Sequence, residues 1–435
     1  MLTNFDLSLR FFLQLAFILG VCRAVGWLAR RIGQPQVVGE MIAGVLMGPS
    51  VIGLLGLTGL PAEWVAAAAR SQQALFPPES LKTLYVGAQL GAGLYMFLVG
   101  VEFKTDLFAS RLRSAMAVSV SGMLVPFLLG AGLALWFVKV PGLFSEKART
   151  FEACLFLGAA MAITAFPMLA RIIYERNLTG TSLGALALAA GAIDDATAWC
   201  VLAIVLATFG GGASIAVQAI GGGILYSVVI LTIGRKLLLR LGTATESAGQ
   251  ITPPILAITL MLFMLGAWAM DAVGIHAVFG GFLLGVAMPR GLFAREIQKQ
   301  LEPFAVVFLL PMFFTYSGLN TRLDLVNSWP MALVALAALA AACLGKGVAC
   351  WAAARLTGED NRTAMAVGTL MNARGLMELI ILNIGLQKGV ILPGLFSVMV
   401  VMAVVTTLMA TPLFELVYGR HARKSGSFGM TRAGE

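Results

Sequence analysis

The sequence predicts an all-α polytopic membrane protein with about thirteen transmembrane helices. Hydrophobic residues make up 59% of its 435 positions and charged residues only 12%, whereas soluble domains contain about 25% charged residues. Several apolar stretches exceed the roughly 18 residues that span a bilayer. So large a surplus of apolar side chains cannot be buried in one soluble core, and lipid must cover part of it.

Two of the predicted helices are interrupted near their middle. The fifth, at 151–173, contains Pro167, which lacks a backbone N–H and pushes the residue before it away from helical geometry. The twelfth, at 362–387, contains Arg374, which is costly in lipid, followed by Gly375, which permits unwinding. We therefore expect both helices to be broken near the membrane centre.

The spacing of the two breaks predicts an inverted repeat. They lie seven helices apart, and because seven is odd, equivalent units at that interval insert into the membrane with opposite orientations. Helices 1–6 and 8–13 would form the two repeats, with helix 7 as their connector. Interrupted helices at matching positions of two repeats are typical of a transporter binding site.

The loops predict one transmembrane domain over residues 1–420 and a short cytoplasmic tail over 421–435. Most lysines and arginines of the loops, among them Arg30, Arg31 and Arg423, lie on the same side of the membrane as the C-terminus. The positive-inside rule then places the C-terminus in the cytoplasm and the N-terminus outside, for a multi-pass protein of the cell (inner) membrane. The net charge of +9 is spread over these loops, so we expect no nucleic-acid partner.

The predicted helix at 183–209 contains two adjacent carboxylates, Asp194 and Asp195. A charged residue at the membrane centre costs at least a few kcal/mol, so two together indicate a function. Neighbours on a helix point about 100° apart, so one can face an ion cavity while the other meets a fixed counter-charge. Lys346 is the candidate counter-charge, because it lies nine residues, about 13 Å, before Arg355 at the helix end and would have to stretch to reach water.

Three further polar residues accompany the breaks. Arg374 and Glu378 are four residues apart, which suits an ion pair within the broken helix. Thr164 precedes Pro167 and can offer its hydroxyl to a cation, together with unwound backbone carbonyls, or it can be an ordinary packing residue.

These motifs resemble the monovalent cation:proton antiporter superfamily, in the branch of NapA-type sodium/proton exchangers, Kef-type proteins and plant cation/proton exchangers. The similar stretches begin at Gln34 and span nearly the whole chain. They are Gln34–Glu40 with Gly48-Pro49, Ile163–Pro167 with Leu169–Arg171, Asp194-Asp195, Leu310–Phe314 with Ser317–Leu319, Gly345-Lys346, and Asn372–Leu379.

The resemblance implies a role for each residue of the carboxylate pair. Asp195 would bind the transported monovalent cation or the proton, and Asp194 would pair with Lys346. It also implies a homodimer whose protomers have a scaffold domain and a moving core domain. Kef-type relatives carry a cytoplasmic nucleotide-binding domain, and we expect none in this chain.

The expected function is secondary active antiport of Na⁺ or K⁺ against protons by alternating access, without enzymatic activity and without a cofactor. An uncoupled or channel-like potassium efflux protein is the alternative. An intramembrane aspartyl protease fits poorly, because its two aspartates must face each other across a substrate and adjacent residues of one helix do not.

Overall fold

The computed structural model describes residues 4–57, 61–102, 108–176, 178, 181–209, 213–275, 277–322 and 327–419. The predicted tail at 421–435 lies outside these residues. Within them the chain forms nineteen α-helices, and the only strand-like pairing is an isolated bridge between Phe144 and Ile391. The prediction of an all-α fold is confirmed.

The helices are α1 (Asn4–Arg31), α2 (Gln36–Met47), α3 (Pro49–Leu57), α4 (Ala62–Leu75), α5 (Pro78–Glu102), α6 (Phe108–Phe137), α7 (Thr150–Ala162), α8 (Phe166–Glu175), α9 (Ser182–Phe209), α10 (Ala213–Val229), α11 (Arg235–Ala248), α12 (Pro253–Ala272), α13 (Ala277–Ala287), α14 (Leu292–Phe304), α15 (Leu310–Leu319), α16 (Trp329–Leu356), α17 (Asn361–Met371), α18 (Leu376–Gln387) and α19 (Pro393–Phe414). Short π-helical segments join α10 to α11 and α14 to α15, and a third follows α19.

Each predicted apolar segment contains at least one of these helices. Seven helical stretches of the described chain are long and apolar enough to cross a bilayer alone, and shorter apolar helices accompany them. The number of thirteen crossings and the inverted repeat stay predictions. Helix α4 was not predicted, and none of its residues is buried.

Both predicted helix breaks are confirmed. The fifth segment divides into α7 and α8, which Ile163–Ala165 separate, and the twelfth divides into α17 and α18, which residues 372–375 separate. Pro167 lies in the first turn of α8, where a missing N–H removes no intrahelical hydrogen bond. The backbone at Ile163 is extended, so the chain leaves the helix several residues before the proline.

One compact unit consists of Met1–Gly26, Glu40–Phe103 and Leu202–Asn320. Within it, α5 packs against α13 and α15. The crossing of α5 and α13 needs glycine at Gly100 and Gly285, because a Cβ atom at either position would lie within 2.3 Å of a carbonyl oxygen of the facing helix. A cluster of buried aliphatic and aromatic side chains fills this unit.

The other compact unit consists of Trp27–Gly39, Lys104–Val201 and Thr321–Glu435. Here α6 packs against α7 and α16, and α16 packs against α17 and α19. This second unit contains both broken helices. Its membrane segments correspond to six predicted helices that occupy equivalent places in the two predicted repeats. These are helices 4–6, at 113–139, 151–173 and 183–209, and helices 11–13, at 330–354, 362–387 and 391–418.

Candidate ion-binding site

The two helix breaks meet inside the second unit. The backbone N–H of Ala165 donates to the carbonyl of Ala373 at 3.1 Å, which ties one unwound segment to the other. Thr164 Oγ1 also lies 3.5 Å from the carbonyl of Met371, the last residue of α17. Four helix ends therefore converge on one buried region, and each end brings partial charge to it.

Asp194 has a partner on each carboxylate oxygen. Ser119 Oγ of α6 donates to Oδ1 at 2.5 Å, and Thr164 Oγ1 donates to Oδ2 at 2.6 Å. Lys346 Nζ of α16 lies 3.2 Å from the same Oδ2, and neither side chain of this ion pair is exposed. Since a buried charge is tolerated when it is paired and hydrogen-bonded, these contacts hold Asp194 as a fixed anion.

Asp195 differs sharply from its neighbour in the number of its partners. Its side chain is also fully buried, yet among the described residues neither Oδ1 nor Oδ2 has a hydrogen-bond partner. Burial of an ionised carboxylate without a partner is strongly unfavourable. A cation or a proton from outside the protein would relieve that cost, so the chemistry of Asp195 suits reversible binding of either.

Two cationic side chains close the carbonyl end of α7. Lys346 Nζ donates to the carbonyl of Ala162, the last residue of that helix. The Arg374 guanidinium donates to the carbonyls of Ala160 and Met161 at 3.3 and 2.8 Å. The last carbonyls of a helix lack intrahelical partners and carry partial negative charge. Lys346 and Arg374 donate hydrogen bonds to them, so side chains of the protein already satisfy these three carbonyls.

Arg374 is fixed by both its side chain and its backbone. Its N–H donates to Thr407 Oγ1 of α19 at 3.0 Å, and the same hydroxyl lies 2.6 Å from its carbonyl, to which it donates. Arg374 Nη1 also lies 3.5 Å from Glu378 Oε2, and both side chains are buried. The arginine that is costly in lipid therefore lies within a network of protein oxygens.

Five of the six residues singled out from the sequence thus form two groups that share the end of α7, and Asp195 belongs to neither. Asp194, Thr164 and Lys346 are in direct contact, whereas Arg374 and Glu378 form the second group, and both groups reach carbonyls of α7. Asp195 stands beside Asp194 in sequence but shares none of its partners.

Sequence reasoning missed Ser119 and Thr407. Hydroxyl residues are common in apolar helices, and most simply donate to the carbonyl one turn earlier, as Thr259 and Thr406 do here. Nothing in the local sequence distinguishes such a residue from one that holds a buried charge. The only available signal is that Ser119 interrupts a long apolar segment, and this signal is weak.

Comparisons with known proteins show which family the chain resembles. Residues 16–417 match the family model for the transmembrane sodium/hydrogen exchanger. The chain is 38% identical to the Na⁺/H⁺ antiporter NhaS4 of Synechocystis over 92% of this chain and 95% of that protein. It is 32% identical to Cation/H⁺ antiporter 17 of Arabidopsis thaliana over 93% of this chain, which spans about half (48%) of the plant protein.

A solved structure has the same fold. The sodium proton antiporter MjNhaP1 of Methanocaldococcus jannaschii superimposes with a TM-score of 0.60 over 94% of this chain and 97% of that one, at 16% sequence identity. The similarity to MjNhaP1 shows that an all-helical transporter fold accommodates this sequence. The match to the family model covers nearly the whole chain, and on that ground the chain belongs to the sodium/hydrogen exchanger family.

Proposed function

We propose that this protein exchanges a monovalent cation, Na⁺ or K⁺, for protons by alternating access, and that Asp195 is the group on which the two substrates compete. The contrast between the two adjacent aspartates carries the proposal. Asp194 has a partner on each oxygen, whereas Asp195 is equally buried and has no hydrogen-bond partner among the described residues. The relatives named above are antiporters of Na⁺ or other cations against H⁺, which supports this substrate class.

The coupling follows from the cost of an unneutralised charge. With Asp194 paired to Lys346, the empty site retains the negative charge of Asp195. Movement of that charge through an apolar barrier is unfavourable. Either a cation or a proton neutralises it, so the loaded site crosses more easily than the empty one. An exchanger rather than a leak results, because each crossing requires one substrate or the other.

The setting of the site is part of the same proposal. The protein would lie in the cell (inner) membrane with a cytoplasmic C-terminus, as the distribution of loop lysines and arginines favours. It would act as a homodimer, which the family resemblance implies.

Ion flux in proteoliposomes tests the proposal against a channel. Purified protein is reconstituted with a pH-sensitive dye inside, and Na⁺, K⁺ or Li⁺ is added outside without a membrane potential. We expect cation entry to drive proton exit, and an opposing proton gradient to stop and then reverse it. Flux of a cation that follows its own gradient whatever the proton gradient would identify an uncoupled pathway and contradict antiport.

A further inference from the structure

Glu378 is, like Asp195, a buried carboxylate of this unit. It lies in the first turn of α18 and is 1% exposed. Among the described residues neither Oε1 nor Oε2 has a hydrogen-bond partner. Within the described part of the chain, the one charged group at ion-pair distance is Arg374, at 3.5 Å. The exchange proposed above gives Glu378 no role, so the presence of its buried carboxyl group requires a separate explanation.

The charge of Arg374 does not depend on Glu378 alone. Nη2 donates to the carbonyl of Met161 at 2.8 Å and Nη1 to that of Ala160 at 3.3 Å, both closer than Glu378. These carbonyls belong to the end of α7, where the helix dipole is equivalent to roughly half a negative charge. Protonation of Glu378 would therefore leave Arg374 with partners in place.

The ionised form of Glu378 is also accommodated. Arg374 is one neighbouring cation and Lys346 of α16 is the other. The first turn of α18 adds the positive end of a helix dipole. Helix α18 packs against α19 and α7, and α19 contains no charged residue while α7 contains only Glu152, in its exposed first turn. Glu378 thus has favourable surroundings in both protonation states. Asp194 does not, because its three fixed partners favour the ionised form.

We propose that Glu378 is a second proton-binding group of the exchanger, which takes up a proton in the same half-cycle as Asp195 and releases it when the cation binds. This inference rests on the proposed antiport function and extends it to stoichiometry. Two protons would then move in exchange for one monovalent cation. The structure thus leaves Lys346, which bonds to both Asp194 and the carbonyl of Ala162, as a fixed counter-charge.

The charges of the buried groups determine whether exchange moves net charge across the membrane. The described buried side chains of this unit include three carboxylates, Asp194, Asp195 and Glu378, and two cations, Lys346 and Arg374. Fully ionised, they carry one net negative charge. A bound monovalent cation makes the site neutral, whereas protons on both Asp195 and Glu378 give it one positive charge. The two half-cycles then differ by one charge, so exchange generates current.

Replacement of Glu378 by glutamine changes this result. In Glu378→Gln the buried groups sum to zero when the site is empty, but Asp195 is still an ionised carboxylate without a hydrogen-bond partner among the described residues, so it still requires a cation or a proton to cross. Either one cation or one proton then gives the buried groups a single positive charge. Both half-cycles then carry the same charge, and exchange becomes electroneutral. If Glu378 were instead a permanent anion paired with Arg374, the wild-type site would be neutral with either substrate, and wild-type exchange would generate no current.

The experiment measures transport current on a solid-supported membrane and, in parallel, dye-reported proton flux in proteoliposomes, for wild type, Glu378→Gln and the control Glu152→Gln. We expect current and flux from wild type and the control, and flux with current reduced to background from Glu378→Gln. If Glu378→Gln does not accumulate, Glu378→Met replaces it, because it also removes the ionisable group, leaves Arg374 its two carbonyl partners and is likewise predicted to be electroneutral.

The outcomes separate the two proposals. Wild-type flux without current, or undiminished current per unit flux from the Glu378 variants, overturns the second proton site and leaves antiport intact. If wild type gives no cation-driven proton flux with Na⁺, with K⁺ or with Li⁺, the antiport proposal itself is overturned.

Discussion

Lys346 and Asp194 form an ion pair in which neither side chain is exposed, with Nζ 3.2 Å from Oδ2. The same ammonium group donates to the carbonyl of Ala162 at the end of α7. The pair therefore joins α9, α16 and the first broken helix. It also neutralises Asp194, so that of the two adjacent aspartates Asp195 is the one without a hydrogen-bond partner among the described residues.

Lys346→Gln should destabilise the protein strongly. Removal of one partner of a buried ion pair typically costs about 3–5 kcal/mol, because the other charge is left uncompensated. Thermal unfolding in detergent measures the effect, with Lys388→Gln as the control, since Lys388 is exposed after α18. An equal unfolding temperature for the two variants would show that Lys346 and Asp194 do not stabilise each other as the structure indicates.

Thr164→Val should cost more stability than Thr259→Val. Both hydroxyls are buried, but Thr164 donates to the Asp194 carboxylate and Thr259 to the carbonyl of Ile255. A hydrogen bond to a charged group contributes about 1.5–3 kcal/mol, against about 1 kcal/mol for a neutral one. Ser119→Ala should resemble Thr164→Val, because Ser119 donates to the other oxygen of Asp194. Equal melting temperatures for Thr164→Val and Thr259→Val would contradict this assignment.

Arg374→Lys should not behave as a conservative substitution. The guanidinium donates to two carbonyls of α7 from two different nitrogens, and a lysine ammonium cannot reproduce that planar geometry. We expect a loss of about 1.5–3 kcal/mol for one charged hydrogen bond, together with slower exchange. Arg355→Lys is the matched control, because exposed Arg355 donates to the carbonyl of Glu359. Similar stability and flux for both variants would show that the guanidinium geometry at the break is not needed.

An epitope at the C-terminus should be reached by an antibody only after the cells are permeabilised. The expectation follows from the excess of positive residues in the loops on that side. An epitope inserted at Lys147, in the loop before α7, is predicted to be reached in intact cells and serves as the control. Staining of the C-terminal epitope in intact cells would reverse the orientation.

The sequence was most informative where a residue is costly for its surroundings. Pro167 and Arg374 predicted the two breaks because neither suits the interior of a membrane helix. Asp194, Asp195 and Lys346 were identifiable because charge inside an apolar segment requires a reason. The residue pattern alone could not say which aspartate has partners, and it was the family resemblance that implied the pairing of Asp194 with Lys346. The contact of Asp194 with Ser119 was not predicted, because Ser119 is 75 residues away in sequence.

The contacts of the α7 carbonyls could not be predicted from the sequence either. Arg374 and Glu378 were expected to pair because they are four residues apart on one helix, and they do lie 3.5 Å apart. The closer contacts of Arg374 are with Ala160 and Met161, more than two hundred positions earlier. Such contacts depend on where two breaks cross, and a pattern of hydrophobicity contains no information on that position. Helix α4 was missed for a related reason, because it is alanine-rich, short and without buried residues.

Cation-driven proton flux of Asp195→Asn, measured in proteoliposomes across a range of pH, tests whether cation and proton compete for Asp195. Asn has the size of Asp but cannot bind a proton or neutralise a cation at neutral pH. Asp360→Asn is the control, because Asp360 caps α17 outside the core and asparagine caps helices equally well. The account predicts that Asp195→Asn inserts and folds but gives no coupled flux at any pH, while Asp360→Asn matches wild type. Normal pH-dependent exchange by Asp195→Asn would contradict the claim that Asp195 is the carboxylate on which cation and proton compete.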